Sequence, residues 1–166
     1  MPFIAPFPVK SYFAPLFAAL QTEMRLFIAK SREMLTSWAL MIHGTHAAQW
    51  KKAEVVVQTA SEEKAKRLCE YAAILYRNQP DWLKARHPLK RDASSLSLEW
   101  VSGGKVFGIP HGEDKIRMFH PTLLILDEAA FLPDAEQSYN AAQPVTKQIV
   151  AISSAGASWF GDQCSL

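Results

Sequence analysis

Glycine is scarce in this sequence, and none occurs in the first quarter of the chain. Only seven of the 166 residues are glycine, and the first of them is Gly44, whereas soluble domains contain about 7% glycine. The standard phosphate-binding loop, GxxxxGK[ST], is absent from the sequence. Any phosphate site before residue 44 would therefore have to be built without glycine.

Cysteine is also scarce, and a large net charge and long apolar runs are absent from the sequence. The two cysteines, Cys69 and Cys164, exclude a disulfide framework and a zinc site of four cysteines or of a CxxC pair with two histidines. A net charge of +2 neither demands nor forbids a nucleic-acid partner. No run of 18 apolar residues predicts a membrane span, and the proline-broken residues 1–20 are a poor signal peptide. We therefore expect a soluble intracellular protein, in a compartment where thiols stay reduced.

Length and hydrophobic patterning predict a single α/β domain. A chain of 166 residues corresponds to one domain, and its 49% hydrophobic and 20% charged residues exclude disorder. Short apolar runs alternate with helical patterns, which favours a mostly parallel sheet flanked by helices. Strands are predicted at residues 25–29, 54–59, 95–101, 105–109, 122–126 and 148–152, with a β-hairpin at Gly103-Gly104. Helices are predicted at residues 12–20, 37–49 and 133–142, and from an N-cap at Ser61 to before Pro80.

Two adjacent carboxylates follow the strongest strand signal of the chain. Asp127 and Glu128 come directly after residues 122–126, at the carboxyl edge of the predicted sheet, where ligands of open α/β sheets bind. The first carboxylate can hold Mg²⁺ through water, and the second can activate an attacking water, as nucleotide hydrolysis requires. A solvated acidic turn is an equally good interpretation of this pair taken alone.

Residues 30–37 have the placement of a phosphate loop, between a strand and a helix. Ser37 stands where a Mg²⁺-binding hydroxyl belongs, but Lys30 lies at the start of the loop and Leu35 occupies a glycine position. Alone, this segment favours an ordinary strand–helix loop. Ser153, Ser154 and Ala155 follow the last strand. Small hydroxyl residues there could sense a γ-phosphate, although an ordinary polar turn is more common.

The joint order of these segments resembles the ATPase domain of phage terminase large subunits, the motors that package DNA into virus heads. The likeness rests on residues 27–34, where a deviant Walker A element begins with its lysine, and on residues 108–117, 124–131 and 152–155. It extends from about residue 10 to about residue 164. It implies a P-loop NTPase of the additional-strand catalytic-glutamate type, with a β-hairpin insertion. Residues 1–24 would be the lead segment of an ATPase domain at residues 25–166, without the family's C-terminal nuclease domain.

The resemblance implies roles for the residues that match the family's motifs. Lys30 would neutralise the β- and γ-phosphates, Arg32 would stabilise the transition state, and Glu128 would be the catalytic carboxylate. Ser37 would ligate Mg²⁺, with Asp127 in the outer shell of the metal. The implied nucleotide-binding residues are Lys30, Ser31, Arg32, Glu33, Met34, Leu35, Thr36 and Ser37. Ser153, Ser154 and Ala155 would couple hydrolysis to DNA movement, and Arg117 is a secondary candidate for a phosphate-sensing or trans-acting arginine.

The resemblance also implies ATP and Mg²⁺ as cofactors and double-stranded DNA as partner in the host cytoplasm. Portal protein, the small terminase subunit and a ring of further copies would complete the machine. The adenine-binding element of the family lies upstream, where Tyr12 and Gln21 are candidates, although a tyrosine there more often packs in the core. Two alternatives remain: a truncated, silent remnant that only binds partners, and a helicase-like P-loop ATPase. Leu35 predicts weak nucleotide binding, because leucine at a positive φ costs about 1–2 kcal/mol or forces another loop shape.

Overall fold

The computed structural model describes residues 7–90, 96–154, 156 and 158–165, in which aliphatic strands alternate with helices. In chain order the elements are α1 (Phe13–Thr22), β1 (Arg25–Ala29), α2 (Thr36–Lys51), β2 (Glu54–Thr59), α3 (Glu62–Arg77), α4 (Asp81–Arg86), β3 (Ser97–Glu99), β4 (Lys105–Pro110), α5 (Glu113–Arg117), β5 (Leu123–Asp127), α6 (Ala135–Ala142), β6 (Gln148–Ser153) and α7 (Trp159–Cys164). A short 3-10 turn, Ala129–Phe131, follows β5. Residues 1–6, the start of the lead segment, lie outside the described residues.

The six strands form one sheet in the order β1-β6-β5-β2-β4-β3. All neighbouring strands are parallel except the antiparallel pair β3 and β4. The strand β6, last in sequence, is inserted between β1 and β5. This inserted strand and the helix-flanked, mostly parallel sheet confirm the fold class expected from the sequence. The carboxyl ends of β1, β6, β5 and β2 consequently meet at one edge of the sheet.

Helices cover both faces of the sheet and make two hydrophobic cores. Side chains of α1, α2 and α3 pack on one face against Val55, Val57 and Ile125, and those of α5, α6 and α7 pack on the other face against Val56 and Leu124. Alternate strand residues therefore point into different cores, as the pleat requires. The strand β5 is buried along its whole length, which is typical of a central parallel strand.

The predicted elements agree with the structure where their signals are long. β1 and β2 have the predicted bounds, and α2 extends the predicted helix at both ends. Ser61 caps α3, since its Oγ accepts a hydrogen bond from the backbone N–H of Lys64 at 3.3 Å. The hairpin forms, although its first strand is shorter than predicted and residue 95 lies outside the described residues. The short helices α4, α5 and α7 escaped prediction because five or six residues show no reliable periodicity. The domain bounds stay a prediction.

Candidate nucleotide site

The loop at residues 30–37 is attached to its surroundings near both ends. The backbone N–H of Lys30 donates to the carbonyl oxygen of Ser153 at 2.9 Å, which joins the start of the loop to β6. The Tyr12 hydroxyl donates to the carbonyl oxygen of Met34 at 2.9 Å, which joins the end of the loop to α1. The loop is therefore held between the sheet edge and α1 before it enters α2.

Two residues of this loop, Glu33 and Leu35, have left-handed backbone conformations with φ of 62° and 53°. Such a conformation costs a residue with a Cβ about 1–2 kcal/mol, and strain of this kind clusters at ligand sites and switches. Leu35 is the N-cap residue of α2. Of the two expectations for Leu35, the structure shows the first, because the leucine adopts the strained, left-handed conformation.

The start of α2 is open to an anion. The first turn of α2 contains no acidic residue, and no side chain among the described residues caps it. The first N–H groups of a long helix have no intrahelical partner, and the helix dipole makes this end positive. One neighbouring loop donor is occupied internally, because the backbone N–H of Ser31 donates to the sulfur of Met34 at 3.3 Å. The loop thus presents the features that bind phosphate at helix N-termini, with Met34 folded over one of its donors.

Ser37 and Asp127 meet across the edge of the sheet. The Ser37 hydroxyl donates to Asp127 Oδ1 at 3.1 Å, which links the first turn of α2 to the end of β5. Asp127 is only 8% exposed, and this burial raises the pKa of its carboxyl. The Ser37 bond lowers that pKa, Glu128 raises it, and the charges of Lys30 and Lys64 lower it. The structure therefore brings Lys30, Ser37, Asp127 and Glu128 into one electrostatic neighbourhood.

Glu128 leaves β5 in a strained conformation and is held by a lysine that sequence reasoning missed. Its backbone is left-handed, with φ of 58° and ψ of 41°. Its carboxylate forms an ion pair with Lys64 of α3, and the two side chains are 40% and 50% exposed. An exposed pair contributes about 0–1 kcal/mol to stability, so its main effect is to orient Glu128. No motif marks Lys64, because its proximity depends on β2 and β5 being neighbours in the sheet.

Of the remaining predicted site residues, Ser153 lies at this edge of the sheet. Ser153 ends β6 beside Ala29, and its buried hydroxyl has no hydrogen-bond partner among the described residues. Ser154 follows the strand and is half-buried, while Ala155 lies outside the described residues. Arg32 is exposed in the loop, and Arg117 is exposed at the end of α5.

The two adenine-site candidates lie at opposite edges of the sheet. Tyr12 contacts the loop through its bond to Met34, and its ring packs edge-on against Phe13 with centroids 4.7 Å apart. Gln21 instead lines a cleft at the amino ends of the strands, together with His43 and Gln148. The structure therefore keeps Tyr12 at the loop and separates Gln21 from it.

A magnesium ion fits the chemistry of the Ser37–Asp127 pair. Mg²⁺ takes oxygen ligands and is usually held by one or two protein side chains together with waters and substrate phosphates. Within the described part of the chain, no three His, Cys, Asp or Glu side chains form a metal-binding group of their own. The site thus suits a metal that arrives with a nucleotide, and it does not suit an all-protein metal cage.

The fold is similar to those of solved phage large terminases. The ATPase domain of the large terminase of Thermus phage P74-26 matches with a TM-score of 0.51 and 16% identity, over 87% of this chain and 66% of that chain. The HK97 bacteriophage large terminase matches with a TM-score of 0.70 and 14% identity, over 94% of this chain and 35% of that chain. This chain therefore spans about two thirds of the first structure and about a third of the second.

The sequence itself matches no protein-family model and no curated protein. At these identities the structural likeness establishes the fold. The described residues include no helix long and apolar enough to cross a lipid bilayer.

Proposed function

We propose that this chain is a terminase-type motor ATPase, which hydrolyses ATP with Mg²⁺ and moves double-stranded DNA into a capsid. The observation that carries the proposal is the hydrogen bond between Ser37 and Asp127. This bond joins a phosphate-type loop to the end of a central strand, and Glu128 is the next residue. The inserted strand β6 between β1 and β5 is the arrangement expected of an additional-strand P-loop NTPase.

Phosphate binding would fall to the loop and to the first turn of α2. The N–H groups at the start of α2 would donate hydrogen bonds to the phosphate oxygens, with residues 31–37 wrapped around them. Lys30 would neutralise the charge of the β- and γ-phosphates. Arg32, exposed in the same loop, would stabilise the charge that develops on the transferred group.

Hydrolysis would use the carboxylates at the end of β5. Ser37 and, through water, Asp127 would hold Mg²⁺, which when bound neutralises charge on the β- and γ-phosphate oxygens. Glu128 would accept a proton from water as the water oxygen bonds to the γ-phosphorus. The bond from that phosphorus to the β–γ bridging oxygen breaks, which leaves ADP and inorganic phosphate.

Movement of DNA would be coupled through the end of β6. Ser153 shares a backbone hydrogen bond with Lys30, so we assign Ser153, Ser154 and Ala155 to coupling. Arg117, exposed on α5, would sense the phosphates or reach the nucleotide of a neighbouring copy in a ring. Portal protein and a small terminase subunit are the further partners that we propose.

The proposal is tested by ATP hydrolysis with and without linear double-stranded DNA. We expect phosphate release that requires Mg²⁺ and rises when DNA is added. A chain that binds MgATP without hydrolysing it under either condition is a binding-only remnant. Strand separation would favour a helicase-like ATPase, and a chain that binds no nucleotide contradicts the proposal altogether.

Replacing Leu35 by glycine is expected to tighten ATP binding, by up to about tenfold. The backbone at residue 35 is left-handed, and a glycine there lets phosphate approach the loop without meeting a Cβ. The strain of about 1–2 kcal/mol is present with and without nucleotide, so its removal stabilises the fold rather than the complex. Leu35→Ala is the matched control, because alanine removes most of the side chain but keeps the Cβ. Titration of ATP into the three proteins decides the matter, and equal affinities would show that the leucine does not limit binding.

A further inference from the structure

An aromatic stack joins the first turn of α2 to α3, beside the proposed phosphate loop. Trp38 follows Ser37 directly, and its ring lies nearly parallel to that of Tyr71, with centroids 3.8 Å apart and planes at 12°. Arg67, one turn earlier on α3, donates from Nε to the Tyr71 hydroxyl at 3.0 Å. The guanidinium carbon of Arg67 lies 5.9 Å from the centre of the Tyr71 ring.

This stack lies at the margin of a core, since Tyr71 packs against the cluster formed by α1, α2 and α3. Trp38 and Tyr71 are half-buried and Arg67 is exposed. Stacked rings and a cation over a ring both attract through the charge distribution of the ring. The hydrogen bond from Arg67 restrains the orientation of the Tyr71 ring, so the ring is already oriented for stacking on Trp38.

Three contacts hold residues 34–38, the end of the loop and the first turn of α2. Ser37 bonds to Asp127 at the end of β5, the Met34 carbonyl oxygen accepts from Tyr12 just before α1, and Trp38 stacks on Tyr71 of α3. The first contact holds Ser37 against the end of β5, and the second holds the end of the loop. The third contact, the aromatic stack, holds the side of α2 that faces α3.

The same side of α3 also carries the partner of Glu128. Lys64, Arg67 and Tyr71 are spaced three and four residues apart, so they lie along one face of the helix. Lys64 pairs with Glu128 at one end of this face, and Tyr71 stacks on Trp38 at the other. The α3 face therefore spans the two halves of the proposed site, the Ser37 half and the Glu128 half.

We infer that Tyr71, braced by Arg67, is a positioning residue of the proposed nucleotide site and acts through Trp38. Through this stack, Tyr71 fixes the position of the Ser37 end of α2 relative to the α3 face whose Lys64 pairs with Glu128. The inference rests on the proposed ATPase function and adds to it a residue that no motif contains. Without the stack, the first turn of α2 would shift relative to Asp127 and Glu128, and misplacement of about 1 Å can lower a rate about 100-fold.

The test compares Tyr71→Ala and Tyr71→Phe with a control at the other end of α2. Trp50→Ala removes a half-exposed ring that contacts His87, with centroids 4.2 Å apart, and so costs the helix a comparable aromatic contact. We expect Tyr71→Ala to bind MgATP about tenfold more weakly and to turn over more slowly, because Ser37 is displaced. Tyr71→Phe keeps the stacked ring but loses the hydrogen bond from Arg67, so we expect a smaller loss than in Tyr71→Ala, whereas Trp50→Ala should bind close to wild type.

Binding measured with and without Mg²⁺ separates positioning from loss of stability. A displaced Ser37 weakens MgATP binding more than it weakens binding of metal-free ATP, whereas general destabilisation weakens both alike. If Tyr71→Ala does not fold, Tyr71→Leu removes the aromatic ring while keeping most of its volume and should show the same Mg²⁺-dependent loss.

Three results would overturn the inference. Wild-type MgATP affinity and turnover in the variant without the ring would show that the stack positions nothing, and the proposed function would be untouched. An equal loss in Trp50→Ala would show that affinity follows the stability of α2. Absence of nucleotide binding in the unmodified chain would refute the proposed function itself, and the positioning role with it.

Discussion

Replacing Glu128 by glutamine is expected to stop ATP hydrolysis while MgATP binding stays near its wild-type strength. Glutamine keeps the shape of the side chain but cannot accept a proton from the attacking water. A general base contributes about 10²–10⁴-fold to a rate, so kcat should fall by about that factor. Phosphate release at saturating ATP, with and without DNA, measures the loss, and a parallel binding titration shows that the site is still formed.

Lys64→Ala is the matched control for this experiment. Both substitutions break the ion pair between Lys64 and Glu128, but only Glu128→Gln removes the carboxylate. An exposed pair is worth less than about 1 kcal/mol, so Lys64→Ala should change hydrolysis by less than about fivefold. A kcat that falls by much less than about 10²-fold in Glu128→Gln contradicts the assignment of the base. An equally large loss in Lys64→Ala would show that the ion pair, rather than the carboxylate acting as a base, determines the rate of hydrolysis.

Replacing Asp127 by asparagine is expected to have opposite effects on binding and on stability. Asp127 is the proposed outer-shell partner of Mg²⁺, and losing such a partner typically costs 10–100-fold in metal affinity or activity. In the nucleotide-free protein, however, burial holds the pKa of Asp127 above its ordinary value of 3.8. Asparagine keeps the acceptor for Ser37 without a buried charge, so the variant should unfold at a higher temperature than wild type.

The stability effect of Asp127 has a defined pH dependence. Because its folded pKa is raised, the folded protein holds a proton that the unfolded chain releases. The stabilising contribution is complete below the unfolded pKa and is lost as pH rises through the folded pKa. The gap in melting temperature between Asp127→Asn and wild type should therefore widen over that range. A variant less stable than wild type at neutral pH would contradict this account, and an unchanged Mg²⁺ dependence of ATP binding would contradict the metal role.

The sequence predicts those parts of the site that depend on strand ends. Asp127 and Glu128 follow an apolar run, and Ser37 begins a helix after a strand, so ordinary parallel topology brings them together. Lys64 could not be predicted in the same way. Its contact with Glu128 exists because β2 lies beside β5, and sheet order is a global property that no local pattern records.

Contacts between helices were even harder to predict from the sequence. The stack of Trp38 on Tyr71 depends on the angle and separation of α2 and α3, which are set by the packing of both helices on the sheet. The shape of the glycine-free loop was also undetermined, because a leucine at residue 35 allowed either strain or another path for the chain. Only the backbone angles of Leu35 show that the strain is accepted.

The position of β1 has a consequence for the order in which this protein folds. β1 lies at the edge of the sheet, and in the described part of the chain it pairs with β6, so that Arg25 meets Ile149. Contacts between residues so distant in sequence form slowly, because a long loop must close before they stabilise the chain. During synthesis, residues 30–37 would leave the ribosome long before the strand that fixes them. The segment that would hold ATP is thus synthesised early, but its backbone bond to Ser153 can form only after β6 has been made.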